Sequence, residues 1–170
     1  MSKYYTGIGS RETPVKILHI MSNIATALEK KGWLLRSGGA NGADLAFENG
    51  VTKYKNIYLP WRGFNDSDSN LYHISDEALE IASRHHPGWV NLSSPIKKLM
   101  ARNVYQVQGM NLDQNSKFLI CWTDDGCESA ETRTNKTGGT GLAISLASEL
   151  GIPIFNLKNE ASLQRVLSLL

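Results

Sequence analysis

Three stretches of this sequence gather small residues in a manner suited to holding an anion. They are Thr6-Gly7-Ile8-Gly9-Ser10, Ser37-Gly38-Gly39-Ala40-Asn41-Gly42 and Thr137-Gly138-Gly139-Thr140-Gly141. Glycine lets main-chain N–H groups approach a charged group closely, and a helix starting just afterwards adds unpaired donors and a positive dipole end. Phosphate is the guest all three patterns share. Any one of these glycines could simply permit a strand-to-helix turn, so the argument rests on their recurrence.

The flanking side chains extend the same chemistry. Arg11 follows the first stretch and Arg36 precedes the second, each placing a guanidinium where a phosphate would lie, unless it serves a surface ion pair. Ser10, Ser37, Thr137 and Thr140 offer hydroxyl donors or helix caps. Asp44 falls in the first turn of the helix after the second stretch, where the dipole favours an acid whatever the function; as a functional group it would hold a ribose hydroxyl or act as a general base. Trp61 and Trp122 end strand-like runs and, with Phe64 and Tyr72, offer flat surfaces for a base, although aromatic residues are equally ordinary core. Arg102 and Asn103 sit beside and within the apolar face of a helix, where a polar group needs a partner or a ligand. Asp124 and Asp125 are candidates for sugar contacts.

These residues need a scaffold, and the periodicity supplies one. Lys3–Gly9 reads as a first strand; Thr13 then caps a helix with Pro14 in its first turn, its apolar positions running from Val15 to Leu28 until Gly32. Trp33–Arg36 is a second strand, Ala43–Glu48 a short helix and Asn56–Pro60 a third strand. Residues 61–94 lose the pattern except for a helix at Asp76–Ser83, and read as an insertion over the site. A helix from Pro95 to Gly109 follows, then a strand within Ser116–Thr123 whose apolar run suits burial on both faces. A polar segment at 124–137, a possible lid, leads to the last glycine stretch and a helix ending at Gly151. Ile152–Leu157 is a fifth strand and Glu160–Leu169 a closing helix. The alternation predicts a single α/β domain of Rossmann-like type over residues 1–170: a mostly parallel sheet of about five or more strands with helices on both faces and an insertion after strand three. The three glycine stretches would then open on one edge of the sheet.

Composition narrows the function classes. The 170 residues, with 41% hydrophobic and 20% charged side chains, suit one globular domain without a membrane span. Met-Ser-Lys-Tyr-Tyr at the start has no apolar leader core, and a cytoplasmic location is the expectation. A formal charge of +2 gives little global attraction for a long polyanion. Cys121 and Cys127 match neither a zinc nor a redox spacing and read as reduced thiols, and the four histidines suggest no metal site.

The motifs Tyr5-Thr6-Gly7-Ile8-Gly9-Ser10-Arg11, Arg36-Ser37-Gly38-Gly39-Ala40-Asn41-Gly42-Ala43-Asp44 and Thr137-Gly138-Gly139-Thr140-Gly141 resemble those of the SLOG superfamily, which includes DprA, the LOG cytokinin-activating hydrolases and the molybdenum-cofactor carriers. The likeness runs from Lys3 to Leu157 and is strongest to the small DprA-like proteins of phage genomes. It implies a binding protein for a nucleotide or nucleotide-derived small molecule, an ADP-ribose-type signal among them, which in a phage setting would sequester a host defence signal. Gly7, Gly9, Gly38, Gly39, Ala40, Asn41, Gly138, Gly139 and Gly141 would line that site, with no further cofactor required. A LOG-like N-glycosidase is an alternative, but Thr137, Leu142 and Ser145 replace the proline, threonine and glutamate of the LOG pattern. Asp44 or Glu48 would then have to supply the missing carboxylate. Binding of single-stranded DNA, as by DprA, is a further alternative, not favoured by the charge. Related proteins also imply a homo-oligomer.

Overall fold

The computed structural model describes residues 3–170. Met1 and Ser2, which open the segment read as lacking a leader, lie outside the described residues. The strands are β1 (Tyr4–Gly7), β2 (Leu34–Ser37), β3 (Lys55–Ile57), β4 (Leu119–Cys121) and β5 (Ile154–Asn156). The helices are α1 (Val15–Lys30), α2 (Ala43–Asn49), α3 (Asp76–Ser83), α4 (Ser94–Gln108), α5 (Thr140–Glu149) and α6 (Glu160–Ser168). All neighbouring strands are parallel, in the order β3-β2-β1-β4-β5. This is the single Rossmann-like α/β domain expected from the alternation.

Side-chain parity along the strands divides the core in two. Tyr5, Leu35 and Ile120 face the apolar stripe of α1, where Met21, Ile24, Ala25 and Leu28 recur at helical spacing, together with Phe47 of α2 and Val166 of α6. Leu119 and Cys121 face the opposite layer, made by Val104 and Val107 of α4 and Leu142, Ile144 and Leu146 of α5. Because both faces of β4 are covered, its three residues are all buried.

Four strands are shorter than the runs that announced them, since ladder pairing ends before the run does, and β2 keeps the expected length but starts one residue later, at Leu34. Thr13 does not cap α1: Pro14 occupies the cap position and the Thr13 hydroxyl donates to Ser10 O at 2.7 Å, tying the helix start to the first glycine loop instead. The α3 helix has the expected bounds, fixed by Ser75, whose Oγ accepts from Ala78 N at 3.1 Å. The rest of the 61–94 segment packs against α4 and the β2 loop. Ser75 N donates to Tyr105 Oη at 2.8 Å, and Asn65 Nδ2 donates to Gly39 O at 2.9 Å and Asn41 Oδ1 at 3.0 Å. It buttresses the site from behind, and none of its residues lines the cavity described next.

Candidate functional site

The strand order places the switch point between β1 and β4: the chain leaves β1 towards α1 on one face and reaches α5 on the other after β4. Such a divergence leaves a crevice at the carboxyl ends of the strands. Here it is a cavity of about 370 Å³. Gly9, Ser10 and Arg11 form one wall, Ala40 and Asp44 the floor, Arg102, Asn103 and Gln106 of α4 a second wall, and Lys136 to Thr140 the rim of α5.

The first two glycine loops are pressed together. Ala43 N donates to Ser10 O at 3.3 Å. Gly42 has φ +83, and a Cβ there would stand 2.7 Å from both Arg11 Cα and Ser10 O. No other residue type combines that conformation with that approach. The third loop is held to α4 by Asn103 Nδ2, which donates to Gly139 O at 3.3 Å. Among the described residues, no protein group accepts from the main-chain amides of Gly138, Gly139 and Thr140, three residues that line the cavity at the start of α5.

Three buried side chains converge over Gly38. A Cβ at that position would collide with Gln106 Nε2, lie 2.8 Å from Asp44 Oδ2 and lie 3.1 Å from Arg102 Cζ. Arg102 is only 7% exposed, donates through Nη1 to Gly38 O at 2.6 Å, and has its guanidinium 5.0 Å from the Phe64 ring. Its Nε has no partner, and no carboxylate lies within ion-pairing distance among the described residues. Burial pulls its pKa down, with the nearby Asp44 charge opposing that shift. Gln106, 1% exposed, likewise has an unpartnered Nε2 in the cavity wall. Burial pushes Asp44 up to about 6, while the Arg102 charge and the Ala40 amide, donating at 3.2 Å, restrain the rise. The α4 wall and the floor thus carry a guanidinium in no direct ion pair, two donors without acceptors and, beside them, a carboxyl raised to about 6.

Of the residues singled out from the sequence, Gly9, Ser10, Arg11, Ala40, Asp44, Arg102, Asn103, Thr137, Gly138, Gly139 and Thr140 line the cavity. Arg36 does not. It stands below the strand end on the face covered by α4, where Nη1 donates to Gln114 O at 2.6 Å and Ser116 Oγ at 3.2 Å, with the Tyr4 ring 3.9 Å away. Ser37 donates to Gly7 O at 2.6 Å, and Gly7 itself is packed against Phe47 and Leu35. Gly38 and Gly39 lie behind the lining, Asn41 is engaged by Asn65, and Gly141 faces Arg133. Trp122 is core, and Trp61 is 42% exposed with its ring edge-on to Phe64, so neither offers its face to the cavity. Glu48 lies one helical turn beyond Asp44 and pairs with Lys55 at 3.2 Å, away from the cavity.

Asp125 is engaged by the protein itself. It accepts from Thr123 Oγ1 at 2.8 Å, Thr134 Oγ1 at 2.7 Å, Thr137 Oγ1 and Cys127 N at 3.2 Å. Its partial burial opposes ionisation, but the hydroxyl and amide donors outweigh it and hold the carboxyl at about 2. It thereby fixes the 124–137 segment to the α5 rim. The sequence reading missed three polar lining residues, Glu12, Gln106 and Lys136. For Gln106 the signal was present, since it stands four residues after Arg102 and therefore on the same helix face.

No protein-family model and no curated protein matches this sequence. A solved structure of DNA processing protein A from Helicobacter pylori, described for its single-stranded DNA binding mode, matches with a TM-score of 0.58 at 19% identity. The chain shares its fold with DNA processing protein A. The match covers 91% of this chain and 64% of DNA processing protein A, so more than a third of that protein has no counterpart here.

Proposed function

We propose that the cavity binds the phosphate-bearing part of a nucleotide or a nucleotide-derived small molecule, an ADP-ribose-type signal being one member of that class. The observation that carries this reading is Arg102: a buried guanidinium in no direct ion pair, beside the unpartnered Gln106 amide and the amides of Gly138 to Thr140. Arg102 is offset by Asp44 only at a distance and keeps an unpartnered donor, and an arriving anion supplies a direct charge-assisted partner. Asp44 suits a sugar hydroxyl rather than a phosphate. The SLOG-like motifs are consistent with this class of ligand, and sequestration of such a signal is the role that follows from binding without turnover.

Isothermal titration with AMP, ADP-ribose and cyclic dinucleotides tests the reading. Binding of one of them in the micromolar range, weakened at least tenfold in Arg102→Met, is the expected result; no heat at millimolar ligand refutes it. A second reading, binding of single-stranded DNA, is favoured by the shared fold with DNA processing protein A. Gel shifts with single strands that weaken steeply as salt rises would support it.

A further inference from the structure

The groups that suit the cavity to an anion surround a carboxyl. Asp44 is 4% exposed, and its Oδ2 stands over Gly38 together with Gln106 Nε2 and the Arg102 guanidinium. Few charges face it. Arg102 comes from α4, Arg11 and Glu12, both exposed, from the loop after β1, and Lys136, also exposed, from the segment before α5. The neighbouring α1 meets α2 through Ser22 and Ala25, and the strands meet it through Gly7, Leu35 and Ser37, none of them charged. On α2 itself Glu48 is turned away to Lys55. The close partners of the carboxyl are therefore one buried cation and neutral donors, the Ala40 amide at 3.2 Å among them.

An anion seated on Arg102 Nε and Gln106 Nε2 becomes the next neighbour of that carboxyl. It engages the guanidinium charge that now favours ionisation of Asp44, and it adds a charge of the same sign in a site removed from water. A charge within about 4–6 Å moves a carboxyl pKa by about 1–3, upwards when the signs match. Burial already holds Asp44 at about 6, restrained by Arg102, so a further rise carries it through neutral pH.

We propose that the cavity is a proton-coupled anion site: Asp44 takes up one proton from solvent as the anion seats on Arg102 and Gln106. The inference rests on the reading that the cavity binds an anion, and adds the condition under which it does so. The carboxylic acid is a donor to the anion and keeps an oxygen that accepts, so the sugar contact given to Asp44 survives protonation. Affinity rises as pH falls, and the ligand is released as pH rises.

Titration calorimetry from pH 6 to 8 tests the inference. ADP-ribose, a cyclic dinucleotide and inorganic sulfate are the probes, because none of them gains a proton in that range. Starting from about 6, a rise of about 1–3 on binding makes affinity about 5- to 50-fold tighter at pH 6 than at pH 8. At pH 7, buffers of different ionisation enthalpy should reveal uptake of about 0.4–0.9 proton per ligand. Asp44→Asn, which imitates the protonated acid, should bind with an affinity that varies less than twofold over the range and take up no proton. The carboxyl carbon resonance of Asp44 in the wild-type protein should shift its titration midpoint upwards by at least about 1 when ligand is bound, a reading that does not depend on the variant folding. Binding that is flat with pH overturns this inference alone, as does a pH dependence that survives Asp44→Asn or an unmoved Asp44 midpoint. No heat with any of the three probes across the range overturns the reading of the cavity as well.

Discussion

Replacing Arg102 with methionine separates a ligand-binding role from a structural one. In the ligand-free protein the substitution removes one charge-assisted bond, to Gly38 O at 2.6 Å. Such a bond contributes about 1.5–3 kcal/mol. It also removes an orphaned buried donor, Nε, whose cost is about 1–3 kcal/mol. The methionine stem keeps the packing against Phe64. The opposing effects cancel to within about 2 kcal/mol, so chemical denaturation of the ligand-free variant should show a midpoint near that of the wild type. Binding has no such compensation. Loss of a charged hydrogen bond to a phosphate weakens affinity by about 1.5–3 kcal/mol, or about 10- to 150-fold. Calorimetry on both proteins reads the two quantities separately. Affinity within threefold of wild type, or a ligand-free variant destabilised by much more than the cancellation allows, would refute the reasoning.

Other expected outcomes follow from the same geometry. Asp44 rises from 3.8 to about 6, so its proton is held by the folded state alone between about pH 4 and 6. Stability should therefore fall by about 3 kcal/mol as pH rises through that window, and pH-dependent urea denaturation of Asp44→Asn should lack that fall. Glu29, where burial is outweighed by the amides of Tyr54, Thr52 and Lys53, and Asp125 both lie at about 2. Their contributions are present above about pH 4 and lost as pH falls towards 2, a limb that Glu29→Gln and Asp125→Asn should flatten. Gly42→Ala must accommodate φ +83 and a collision with the Arg11 main chain, whereas Gly138→Ala meets only an unfavourable φ of +66. Denaturation should show Gly42→Ala losing more than the ~1–3 kcal/mol expected of strain alone, and Gly138→Ala staying within it. Asp125→Ala should accelerate amide exchange selectively across residues 123–137, read by mass spectrometry.

The parts of this molecule that were legible in the sequence are those governed by local rules. Ser75 before an acidic first turn, with apolar positions at helical spacing, fixes α3 to the residue. The glycine loops were legible as strand-end turns, and α4 announced Arg102 and Asn103 as polar residues on a face that would be buried. What local rules do not carry is depth. Arg36 sits beside a glycine loop in sequence, yet it faces the α4 side of β2 one residue short of the strand end, and the Gln114–Ser116 segment closes over it. Trp61 and Trp122 show the same limit: an aromatic residue at a strand end reads alike whether it is packed in the core, as Trp122 is, or turned to the surface, as Trp61 is. Lys136 and Arg133 were invisible because their positions depend on the Asp125 cluster, a set of tertiary contacts that leaves no periodic trace.

The placement of the crevice between β1 and β4 also means that neither end of the polypeptide can build it unaided. Residues up to Gln108 supply Gly9, Asp44 and Arg102, while the open amides come only after β4. A backbone cut in the exposed turn at Asn111–Asp113 would yield two fragments, each with part of the cavity lining. If the proposed ligand binds, it would favour their reassembly, and a split reporter built on this fold would then light up in its presence.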